Sequence, residues 1–132
     1  MKFREFVDAL KARIGIHRDH MPQIPKVEYE NFLKFCETKG IRVDTDINVK
    51  MELLIPVQNT FKDLDYDELK AITDMTRPLI ISRDQYIIDG HHRYLVALFD
   101  GIHSIKCTMI NLNVDEALAL ATEFANSLKE TK

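Results

Sequence analysis

Residues 86–94 read Tyr-Ile-Ile-Asp-Gly-His-His-Arg-Tyr, YIIDGHHRY. The stretch QYIID has the alternation and bulk of a short strand, and Asp89-Gly90 ends it. HHRYLVALFDG then continues at helical spacing, with Leu95, Leu98 and Phe99 facing inward and Gly101 closing the last turn. A glycine between strand and helix lets the backbone turn tightly and approach a ligand closely. The first amides of the helix point outward, at the positive end of its dipole. Basic side chains are mildly unfavourable there, so His91, His92 and Arg93 need a reason beyond starting a helix. A phosphate supplies one: Arg93 offers a fixed fork of donors, the histidines offer more, and the backbone completes the cradle. The competing reading makes one histidine a buried core residue bonded to a carbonyl. A metal is not assigned, because neighbouring helical histidines point in different directions.

Working outward, RPLIIS forms a strand joined to QYIID through a turn at Arg83-Asp84. The short helix YDELKAITDM stops before Arg77-Pro78, since a residue preceding proline avoids the helical region. Further upstream, Ile41, Val43, Ile47 and Val49 suggest short strands. Tyr29, Phe32, Leu33 and Cys36 mark a helix over about residues 27–39, ended by Lys39-Gly40. Phe3, Phe6, Val7, Leu10 and Ile14 place another helix in the first dozen residues. Downstream, SIKCTMINL is a strand. The final helix starts at an Asn113/Glu116 capping box and holds Val114, Ala117, Leu118, Ala121, Phe124, Ala125 and Leu128 on one stripe. The expected fold is therefore α/β (α+β), a small mixed sheet with flanking helices. Residues 1–132 read as a single domain, with 1–50 a helical extension and 51–132 the core.

Composition sets the frame. The 132 residues are 45% hydrophobic and 30% charged, as in an ordinary globular domain. No apolar run has the length of a membrane span, and MKFREFVDAL is too charged for an export signal, so the expected location is cytoplasmic with no membrane partner. Cys36 and Cys107 lack a CxxC companion and read as buried thiols. A net charge of -3 and a pI near 5.9 disfavour a whole-chain attraction for nucleic acid.

DGHHRY resembles the signature turn of the ParB/sulfiredoxin superfamily, which reads G-E-R-R-Y in ParB proteins and G-C-H-R-Y in sulfiredoxins. It is very close to D-G-H-H-R of the ParB-fold free serine kinases. Gly90, Arg93 and Tyr94 match directly, while His91 and His92 take the two variable positions. IPVQ, residues 55–58, resembles the N-P-x-Q box that opens the ParB domain. The resemblance runs from about Leu53 to Leu112 and implies that the turn binds nucleotide phosphates, with Gly90, His91, His92 and Arg93 as ligands. The ParB box extends this to Gln58 and Asn59, and Lys62 would either reach a phosphate too or be a solvated surface lysine. The reactive cysteine of sulfiredoxins is replaced by His91, which removes sulfinic-acid reduction. A partition protein's helix-turn-helix finds no room after the last strand.

The implied function is a nucleotide-binding enzyme, a kinase-like phosphotransferase or nucleotide hydrolase using Mg²⁺ with ATP, ADP or CTP. Asp89, His91 and His92 are its catalytic candidates. Asp89 would hold the metal or accept a proton, or else be a turn residue bonding its own backbone. The acceptor would be a small molecule or a nucleic acid, and the alternative is a ParB-like DNA-binding protein or nuclease. Two further groups are weaker candidates. His17, Arg18, Asp19 and His20 stand in an irregular stretch that would fold over the site and contact substrate, or remain solvated. Asp44, Asp46 and Glu52 lead into the core as possible bases or metal ligands.

Overall fold

The computed structural model describes residues 2–11, 15–58 and 60–130. Strands β1 (Val43–Lys50), β2 (Leu79–Ser82), β3 (Ile87–Asp89) and β4 (Ser104–Ile110) form one sheet in the order β1-β4-β2-β3. β4 is central: it runs antiparallel to β1 and parallel to β2, with Leu79 opposite Cys107 and Ser82 opposite Ile110. β2 and β3 form the antiparallel hairpin expected of PLIIS and QYIID. Its turn is tied by Gln85 N donating to Ser82 O at 2.9 Å.

Side-chain alternation along the strands divides the core into two layers. On one face Ile80, Ile88 and Ile110 meet Phe32 and Cys36 of helix α2 (Tyr29–Thr38) and Ala117, Ala121 and Phe124 of helix α5 (Val114–Glu130). On the other, Leu79, Ile81, Ile87 and Cys107 meet Tyr94 and Ala97 of helix α4 (His91–Phe99). The outer side of α4, through Leu95 and Val96, is covered by Val7 and Leu10 of helix α1 (Phe3–Lys11) and Leu69 of helix α3 (Tyr66–Ile72). Both cysteines are buried, and burial pushes the Cys36 thiol up to about 11 and the Cys107 thiol up to about 12.

Helix ends follow their sequence signals. At α5, Glu116 N donates to Asn113 Oδ1 at 2.9 Å and Asn113 N to Glu116 Oε1 at 3.2 Å, closing the capping box. Asp65 and Glu68 make the same reciprocal pair at α3.

The N-terminal segment differs from the sequence expectation. Val43, Ile47 and Val49 belong to one long strand, β1, whose register shifts between Asp44 and Ile47 where Asp46 takes φ +56°, and Ile41 precedes it. β1 lies within the sheet and α2 within the main core, so the first fifty residues share both with the rest of the chain. Local periodicity reports a strand but not its pairing partner, and β1 pairs with a strand some sixty residues later. Among the described residues, no helix is long and apolar enough to cross a membrane.

Candidate functional site

β3 ends at Asp89, and Gly90 turns the chain into α4 with φ +105° and ψ 25°. No side chain caps this helix start. The space above Gly90 is filled from within. A Cβ placed there would lie 2.4 Å from Arg93 Nη2, 2.9 Å from Arg93 Nε and 2.7 Å from Leu79 Cδ2. Glycine is therefore needed both for its left-handed backbone and for the guanidinium that packs on it.

Arg93 is only 5% exposed, and its Nη2 donates to Asp89 Oδ2 at 3.3 Å, one helical turn away. Its buried Nε has no hydrogen-bond partner. A second guanidinium, Arg77 Nη2, stands 3.7 Å from the same carboxylate oxygen and donates to Ile24 O at 2.7 Å. The backbone of Ile24 also favours the ionised form of the Asp89 carboxyl. Burial raises the Asp89 carboxyl, while Arg93 and Arg77 draw it back toward the ionised form. Burial likewise lowers Arg93, opposed by Asp89, and a guanidinium retains its charge in such a place.

The histidines face the neighbouring loop. His91, 3% exposed, accepts at Nε2 from Val57 N at 3.0 Å and from Gln58 N at 3.2 Å. His92 Nε2 accepts from Lys62 N at 3.2 Å, and its ring meets Phe61 edge-on. An imidazole nitrogen that accepts hydrogen bonds is unprotonated, so each neutral ring carries its proton on Nδ1. Burial, reinforced by His92 and Arg93, pushes His91 down to about 3. Burial, with Arg18, Lys62 and Arg93 adding to it, pushes His92 down to about 4. Both rings thus clamp the 57–62 loop to the start of α4 as neutral acceptors. Nε2 of each is engaged by backbone amides, so the phosphate-binding or catalytic role expected of these rings would fall to Nδ1–H.

A cleft of about 350 Å³ opens over this junction. Residues 21–25 form one wall, Leu69, Ile72 and Thr73 at the end of α3 form another, and residues 88–93 form the floor. Arg77, Lys62 and Gln58 also reach it. The Gln58 side chain donates to Thr60 O at 2.6 Å, which turns it toward its own loop.

The other candidates are placed as follows. Asn59 lies outside the described residues. The segment holding His17, Arg18 and His20 does fold beside the 57–60 loop: Ile16 N donates to Val57 O at 2.6 Å and Arg18 N to Thr60 Oγ1 at 2.7 Å. These three side chains do not line the cleft; Arg18 and His20 border a separate groove against α5. His17 Nδ1 accepts from Asp19 N at 3.1 Å, capping a single 3-10 turn. Asp44 pairs with Arg42 on β1, Asp46 occupies the β1 bulge, and Glu52 is exposed in the turn after it. β1 and β3 occupy opposite edges of the sheet, so Asp44 and Asp46 stand apart from the junction.

Arg77 and the strap of residues 21–25 are the parts that sequence reasoning missed. Arg77 had served only as the residue before Pro78, and no pattern within the strap ties Ile24 to Asp89.

The expected Mg²⁺ does not fit this donor set. Asp89 is held by two guanidinium groups. Asp74, the other carboxylate on the cleft, bonds Lys26 Nζ at 2.7 Å and Thr76 N at 3.0 Å, which hold it well below the usual carboxylate range. Among the described residues no group of three or more His, Cys, Asp or Glu side chains is placed to bind a metal ion.

A polar, cationic cleft at a strand-to-helix turn on a mixed α/β sheet defines the class of site. No protein-family model matches the chain, and no curated protein matches it. Among solved structures it is similar to a Pnob8-like ParB-N domain in its C2221 form, with a TM-score of 0.48 and 18% identity. The similarity covers 69% of this chain and 40% of that one.

Proposed function

We propose that the chain binds a nucleotide through its phosphate end, in the cleft at the start of α4. One observation carries this reading. Arg93 is a buried guanidinium with an unbonded Nε, it lines the cleft, and it sits against an uncapped helix N-terminus. A phosphate oxygen suits both the guanidinium fork and the helix dipole. Arg77 and Lys62 add charge from the side.

The geometry favours binding over base catalysis. The kinase-like or hydrolytic step implied by the resemblance needs a group to take a proton from the attacking hydroxyl or water. Asp89 is committed to its two arginines, and both histidines are committed to backbone amides. Their work in this reading is to fix the floor and wall of the phosphate site.

Titration calorimetry with ATP, ADP, CTP and AMP, each with and without Mg²⁺, tests the proposal. At least one nucleotide is expected to bind, and Arg77→Gln is expected to weaken it about tenfold, the effect of one charge-assisted hydrogen bond. Absence of binding by all four would overturn it.

A further inference from the structure

We infer that the ligand of this cleft is a nucleoside monophosphate, a single dianionic phosphate with a base attached, rather than a di- or triphosphate. The inference rests on the phosphate-binding reading above and narrows it.

Charge is the first argument. The cations reaching the cleft are Arg77, Arg93 and Lys62. Asp89 offsets one of them, and Asp74 is already matched by Lys26. His91 and His92 face their amides as neutral acceptors and contribute no charge. The remaining excess is two positive charges, and a phosphate monoester carries about -1.5 to -2 at pH 7. Each further phosphoryl group adds negative charge that this cleft does not match. A metal would ordinarily supply the balance, yet both carboxylates on the cleft are engaged elsewhere.

Size points the same way: about 350 Å³ is at the small end of ligand pockets. The outer end of the cleft then changes character. Ile72 lines it while 58% exposed, beside Pro25 and Thr73, giving an apolar surface for a planar base above the cationic floor.

Calorimetry on the full chain with AMP, CMP, GMP and UMP, and with ADP, ATP, ribose 5-phosphate and inorganic phosphate, tests this. The expected result is that one monophosphate binds at least as tightly as its di- and triphosphate, and at least tenfold tighter than ribose 5-phosphate. Ile72→Ser, which removes the apolar surface without adding charge at an exposed position, is expected to weaken that nucleotide at least fivefold while leaving inorganic phosphate unchanged. Lys62→Ala, which keeps the backbone amide that His92 accepts, is expected to weaken both ligands about threefold. Affinity rising from mono- to triphosphate would overturn the inference and leave the nucleotide site standing. Ribose 5-phosphate binding as well as every monophosphate, or Ile72→Ser without effect, would remove the base from it. If none of the phosphates binds, this inference and the reading beneath it fall together.

Discussion

A methyl group at Gly90 would need space that Arg93 already fills. Alanine there meets Nη2 at 2.4 Å and Nε at 2.9 Å, and it must also hold φ near +105°. The guanidinium cannot retreat cheaply, because its Nη2 is bonded to Asp89 and the residue is 95% buried. Gly90→Ala is expected to cost about 3 kcal/mol, combining backbone strain with the displaced ion pair. Gly40→Ala is the control. It also has positive φ, +72°, but nothing lies within 4 Å of the added Cβ, so only the left-handed cost of about 1 kcal/mol applies. Urea unfolding of both variants checks the difference, and equal losses would mean that Arg93 does not occupy the space over Gly90. The glycine was legible in the sequence as a tight turn. Its second role was not, because a residue three positions later folding back over it depends on Asp89, Arg77 and Leu79 all being in place.

At the scale of elements, the start of α4 and the 57–62 loop act as one unit joined by two imidazoles. His91 and His92 have folded pKa values of about 3 and about 4, both below the ordinary 6.5. Below pH 6.5 the unfolded chain takes up protons on these rings while the fold holds them neutral, so unfolding is linked to proton uptake. Their contribution is complete above about pH 6.5 and is lost progressively as pH falls toward 4 and then 3. The slope reaches about 1.4 kcal/mol per pH unit for each ring, with the more buried His91 contributing most. Unfolding free energies at pH 7, 6, 5 and 4 should therefore fall more steeply for the native chain than for His91→Gln, although the variant starts lower. Parallel curves would sink the clamp. The sequence placed these histidines at the right helix start, but what they bond could not be read there. Charge placement alone favoured an anion, whereas burial turned the rings into neutral acceptors for a loop some thirty residues away. The capping boxes at Asp65 and Asn113 contrast with this, since partners three residues apart belong to one local signal.

The whole molecule is held by pairings that run across the full length of the chain. β4, the last strand, lies between β1 and β2, so the sheet cannot be assembled from either half alone. This is where the sequence was least informative. Elements, caps and the hairpin followed from local pattern, but the strand order depends on which edges meet, and no pattern within residues 1–50 shows that β1 joins β4. Removing residues 1–50 would strip β1 from β4 along the register from Val43–Ile110 to Lys50–Ser104. It would also take Phe32 and Cys36, both fully buried, off Ile80, Ile110 and Phe124. Losing one buried phenylalanine alone costs about 3–5 kcal/mol, a large part of the 5–15 kcal/mol typical of a domain. The strap of residues 21–25 would go as well, leaving Asp89 without the Ile24 backbone and Arg77 without the Ile24 carbonyl. A 51–132 fragment is therefore expected to show no cooperative thermal transition by circular dichroism and to bind a hydrophobic dye, while the full chain melts sharply. A fragment that melts cooperatively, with native-like ellipticity, would show that the 51–132 core folds without its N-terminal third. β1 and α2 would then be additions to the core, and the wall that residues 21–25 give the cleft would be dispensable for folding.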